Sequence, residues 1–113
     1  MNRKRNYLRK DIFLTVYDDG RIYFSAKVMR IFRVGTDNTA KIKYNPAFNF
    51  IYFDPDFQFP AEDGYTRLKL HNQHAKAKRL NIKPGKYLLY ESEDVATFQR
   101  VSEQKLKDLE KEN

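Results

Sequence analysis

A chain of 113 residues with 41% hydrophobic side chains is long enough for one core, and its eight Tyr and nine Phe argue against a disordered chain. The absence of cysteine excludes disulfides, thiolate metal sites and a cysteine nucleophile. Lys and Arg outnumber Asp and Glu by 22 to 15, a formal net charge of +7 that points to a polyanionic partner.

The first ten residues hold Arg3, Lys4, Arg5, Arg9 and Lys10 and no carboxylate, and read as a basic N-terminal arm over 1–10. Such an arm follows phosphates or enters a groove. No apolar stretch of a signal peptide follows it, and no segment reaches the ~18 apolar residues of a membrane span, so a soluble, cytoplasmic protein is expected. Next, Ile12, Leu14 and Val16 alternate with Phe13, Thr15 and Tyr17, which is strand periodicity. Asp18-Asp19-Gly20 is a hairpin signal, and Ile22 and Phe24 resume the alternation. Ser25 is a good N-cap, and Val28, Met29, Ile31 and Phe32 are spaced for one face of a short helix over 26–34, with Gly35 as its C-cap.

Ala40, Ile42 and Tyr44 predict a strand, Asn45-Pro46 a turn, and Asn49 to Phe53 another strand. Phe57-Gln58-Phe59 reads as a short strand ended by Pro60. Leu68 and Leu70 alternate with Arg67 and Lys69, Asn72 is an N-cap candidate, and residues 73–82 read as a short helix with Ala75, Ala77 and Leu80 inward. Tyr87 to Tyr90 and the segment around Ala96, Phe98 and Val101 complete the strands. The charged tail over 102–113 reads as a frayed helix or a disordered end. The order of elements repeats, giving one strand–helix–hairpin unit over 11–56 and a second over 57–101, with Gly20 matched to Gly64 and Gly35 to Gly85. The expected fold class is β-rich with short helices, α+β.

Asp19-Gly20-Arg21-Ile22-Tyr23-Phe24-Ser25, a basic helix, and then Val34-Gly35-Thr36-Asp37 resemble the AbrB-like swapped-hairpin family of transition-state regulators. Leu80-Asn81-Ile82-Lys83-Pro84-Gly85-Lys86-Tyr87 is similar to the family's helix-exit turn. Ser25 stands where that family usually has Pro, and Arg21 has no clean counterpart in the second copy. The resemblance implies a swapped-hairpin β-barrel formed as a single-chain pseudo-dimer, and a duplex DNA-binding regulator of transcription.

Lys27, Arg30 and Arg33 recur every three residues, one stripe of the predicted helix. With Arg21, the arm, and Lys76 and Arg79 of the second copy, they are the candidate DNA contacts. The same stripe is also what the solvated face of an amphipathic helix looks like. Phe48, Phe50, Tyr52, Phe57 and Phe59 form an aromatic run, and read as a core and a protein interface. The alternative function is therefore a non-enzymatic protein-interaction or assembly module; a third reading stacks single-stranded bases on those rings. His71 and His74 are two imidazoles with no third His or Cys, too few for a metal site. Asp54 with Asp56, and Asp18 with Asp19, lie in turn sequences, where Asp is expected for local hydrogen bonds. No nucleophile elbow, P-loop or zinc-protease pattern is present, so neither an enzyme nor a cofactor is expected.

Overall fold

The computed structural model describes residues 8–32, 38–90 and 96–111. The Asp18-Asp19-Gly20 turn joins β1 (Leu8–Val16) to β2 (Arg21–Phe24) in antiparallel register, Thr15 facing Tyr23. Gly20 takes φ +91°, a conformation that costs a residue with a Cβ, and this closes the short loop. Ser25 then starts α1 (Ala26–Phe32), its Oγ accepting from the Val28 N–H at 3.4 Å. Further strands are β3 (Thr39–Asn45), β4 (Phe50–Asp54), β5 (Thr66–Lys69), β6 (His74–Lys76), β7 (Gly85–Tyr90) and β8 (Ala96–Val101). The chain continues into α2 (Glu103–Lys111), capped by Ser102 and tied to β1 by Lys10 Nζ donating to the Leu109 carbonyl at 3.1 Å.

The eight strands form one antiparallel sheet in the order β5-β3-β4-β8-β7-β1-β2-β6, curled into a nearly closed barrel. Its two outer strands meet through a bridge between His71 and His74. Going round, β1 and β2 are followed by β6 and β5, then by β3 and β4, then by β8 and β7. Pieces of the first and second halves of the chain thus alternate. Replacing β1 by β5, β2 by β6, β3 by β7, β4 by β8, and the reverse, leaves every neighbour unchanged.

Alternation decides what lies inside. Leu14, Ile22, Phe24, Ile42, Ile51, Phe53, Tyr87 and Phe98 fill the barrel, each essentially without solvent contact. Burying a large apolar side chain of this kind contributes roughly 1.5–3 kcal/mol. Helix α1 adds Val28 to this core, and Phe32 packs edge-on against Phe53, 5.5 Å between ring centroids.

Several expectations are corrected. Residues 73–82 are not a helix: they hold β6 and a 3₁₀ turn at Lys78–Leu80. Asn72 is no helix cap; with Gln73 it makes a two-residue turn at positive φ, and His71 and His74 exchange both backbone hydrogen bonds. Gly64 and Gly20 are not equivalent in strand order, since the partner of β2 under the exchange is β6. Phe57-Gln58-Phe59 is a loop, because the Asp54 carboxylate accepts from the N–H groups of Gln58 and Phe59 and replaces a strand partner. Ile31 is 49% exposed, at the edge of the stripe that Val28 and Phe32 define. Arg9 and Lys10 belong to β1 and not to an arm, since Arg9 is in register with Leu89 of β7. Arg3, Lys4, Arg5, Arg33 and Gly35 lie outside the described residues. No helix among the described residues is long and apolar enough to cross a membrane.

Candidate functional site

The inward set of β2, β3, β5 and β6 is apolar, so strand alternation sends the remaining side chains out. Those outward positions carry Arg21, Lys41, Lys43, Arg67, Lys69 and Lys76, and the four strands contain no acidic residue. Pairing register sets like charges face to face: Arg21 opposes Lys76, and Lys41 opposes Arg67. Directly opposed like charges destabilise a sheet. Aromatic rings soften this repulsion. Phe57 lies under both Lys41 and Arg67, at 5.1 and 5.0 Å, and Tyr17 under Arg21 at 4.5 Å. Asp19 in the hairpin turn reaches Arg21 at 3.2 Å, both side chains largely exposed, while Lys41 is in register with Asp54 of β4 on its other side and donates to the Phe59 carbonyl at 2.8 Å. The backbone and side-chain hydrogen bonds from Arg21 hold the Asp19 carboxyl below the usual carboxylate range.

The barrel opens in the middle of this wall. Strands β5 and β6 run together at the His71–His74 bridge and then part, β5 to pair with β3 and β6 with β2. The wedge between them is a cleft of about 480 Å³. Arg67, Lys69 and His71 line one side, and His74, Lys76 and Arg21 the other. His74 packs against Tyr23, ring centroids 5.3 Å apart.

The sequence-derived cations divide accordingly. Arg21 and Lys76 come together at the seam. Lys27 is taken up by Asp11, at 2.7 Å, and its hydrogen bond holds the Asp11 carboxyl below its ordinary value. Arg30 is exposed on α1 and Arg79 in the 3₁₀ turn. Lys10 is bonded to α2. Sequence reasoning missed Lys41, Lys43 and Lys69 and gave Arg67 no role. The signal that finds them is alternation: each lies beside a buried residue of its strand, Ala40, Ile42 or Leu68.

The five aromatic candidates also divide. Phe50 and Tyr52 on the outside of β4 form a ladder with Phe48 of the preceding turn, continued by Tyr90 of β7, which stacks on Phe50 at 5.9 Å. Phe48 is 64% exposed. This ladder covers β4, β8 and β7, the side of the ring opposite the seam. Phe57 and Phe59 are elsewhere: Phe57 supports the cationic wall, and Phe59 stacks on Tyr65 at 5.2 Å. Burial raises the Tyr65 hydroxyl pKa above its ordinary value, and the Asp54 charge adds to it. No group of three or more His, Asp or Glu side chains suited to a metal ion occurs among the described residues.

Fold and surface together define a small β-rich barrel with a cationic outer wall. Comparison with protein-family models, with curated proteins and with solved structures finds no match.

Proposed function

We propose that this protein binds nucleic acid without catalysing a reaction, laying a phosphate backbone along the cationic wall of β2, β3, β5 and β6. The observation that carries this reading is the register. Arg21 faces Lys76 and Lys41 faces Arg67 on strands that hold no carboxylate. A fold selected for stability alone has reason to intersperse the two signs. Duplex DNA satisfies such a wall by charge, and phosphate contacts need no base recognition. Regulation of transcription is the role that the AbrB-like resemblance brings to this binding. The alternation of the two chain halves around the barrel supports that resemblance, with β1–β4 and β5–β8 as the two copies of a single-chain pseudo-dimer.

The test is fluorescence anisotropy with labelled random duplex at several salt concentrations. Engaging about five phosphates gives a slope near −4.5 in log affinity against log salt. Arg67→Glu with Lys69→Glu should remove most of the binding while the melting temperature holds. Undiminished binding by the folded double variant refutes this surface.

A second reading rests on Phe48. Its exposure, beside Phe50 and Tyr90, supports a protein-docking ladder on the face opposite the nucleic acid. Phe48→Ala should then abolish partner capture and leave nucleic-acid affinity unchanged.

A further inference from the structure

We infer that the open seam between β5 and β6 is a site for a single extended nucleic-acid strand, so that unpaired strands bind more tightly than duplex. The inference deepens the nucleic-acid reading above and rests on it.

Three features of the seam converge. The first is shape. A wedge of about 480 Å³ lies in the range of small-ligand sites, roughly 300–1,000 Å³, and is too small to take in a duplex. The second is the backbone. Beyond the His71–His74 bridge, the facing edges of β5 and β6 have no strand partner among the described residues. Each edge presents alternating N–H and C=O groups, the first suited to phosphate oxygens and the second to base and sugar donors. The third is charge with rings. Arg67 and Lys69 on one wall and Arg21 and Lys76 on the other bracket the cleft, so a phosphate inside meets cations from both sides. His71 and His74 stand at its closed end, and the contact with Tyr23 steadies the His74 ring as a stacking platform. A duplex can touch the rim of this wedge but cannot bring both walls onto one backbone.

The splayed hairpin also sets the length of strand that fits. The turn at Asn72-Gln73 closes one end, and the Ala77 N–H bonded to the Gly20 carbonyl at 2.8 Å ties the far end of β6 back to the β1–β2 turn. His74 gives both backbone groups to His71, so the edge between these limits is Ala75 to Lys76 on one side and Thr66 to Lys69 on the other. That span of two to four residues accommodates about two nucleotides.

The experiment compares a labelled oligothymidine with a hairpin duplex of equal charge, at one moderate salt concentration, on the full chain. The single strand is expected to bind about ten-fold more tightly, from stacking added to phosphate contact. Arg67→Glu with Lys76→Glu should lower single-strand affinity about a hundred-fold, and His74→Ala about five-fold, while Lys107→Glu on α2 changes it less than two-fold. Amide chemical-shift mapping of the wild-type protein with oligothymidine needs no variant to fold. It should move the resonances of residues 66–69 and 71–76 first. Equal or tighter duplex binding, or shifts confined to other strands, overturns the seam while leaving the nucleic-acid reading in place. Absence of binding to either probe overturns both.

Discussion

Ser25 shows how much one side chain carries. Its Oγ accepts from the Phe13 N–H at 3.2 Å and from the Val28 N–H at 3.4 Å, and the residue is buried. One hydroxyl therefore caps α1 and fastens it to β1. Ser25→Ala leaves both donors without that acceptor and should cost about 1–2 kcal/mol, read from the urea midpoint. Tyr87 is a second such residue. Burial in the core pushes its hydroxyl pKa far above the ordinary tyrosine range, with the neighbouring Tyr44 adding to the effect and Arg100 opposing it. Its proton is donated to the Lys83 carbonyl. The folded protein holds this proton more firmly than the unfolded chain. The contribution to stability is thus complete below about pH 10, the ordinary tyrosine value, and is lost progressively as pH rises from there toward the folded-state value. Tyr87→Phe should flatten the fall of unfolding midpoint between pH 9.5 and 11 relative to the wild type, while lowering stability at pH 7 by about 1 kcal/mol. An unchanged alkaline profile would show that Tyr87 is not held this way.

The elements differ in how openly the chain announces them. Alternation at Ile12, Leu14 and Val16, followed by Asp18-Asp19-Gly20 and Ile22, specifies the turn and the paired part of the first hairpin, because the turn and both faces agree, while the start of β1 at Leu8–Lys10 was read as an arm. Helix α1 was legible from Ser25 onward for the same reason. The second hairpin was not. Lys and Ala dominate residues 75–79 and favour a helix by propensity, yet Ala75 and Ala77 are two apart, a strand spacing, and both are buried. The turn at Asn72-Gln73 lacks the glycine that marks such turns, so tertiary pairing of Ala75 with Ile22 decided the conformation. The site shared this fate. Arg21 and Lys76 are legible as basic residues, but their meeting depends on β2 pairing with a strand more than 50 positions later, which no local pattern encodes. Gly20 tests the first hairpin directly. An added Cβ there would approach the Lys78 Cα to 2.9 Å at a φ of +91°. Gly20→Ala should therefore destabilise by more than about 1 kcal/mol in thermal melting.

At the scale of the whole molecule, the two chain halves are interleaved. β1 pairs with β7, β2 with β6, β3 with β5 and β4 with β8, so four of the seams in the barrel join one half to the other. The chain crosses between halves through residues 55–65, which hold a 3₁₀ turn and no strand. Cleaving there, at a protease site placed over Ala61–Asp63, should leave one non-covalent particle that elutes with the intact chain; separation of the fragments would show that the covalent join is needed. The same interleaving governs the birth of the protein. The N-terminal strand β1 finds its second neighbour only when Gly85–Tyr90 has been made, and β4 waits for Ala96–Val101. Little of the barrel can close on a chain still being synthesised, and most of its pairings span long sequence distances. A high contact order of this kind slows folding to milliseconds or seconds. Through that interval the edges of the early strands stand open to neighbouring chains, so yield in the cell should depend on temperature and expression rate more steeply than the stability of the finished barrel would suggest.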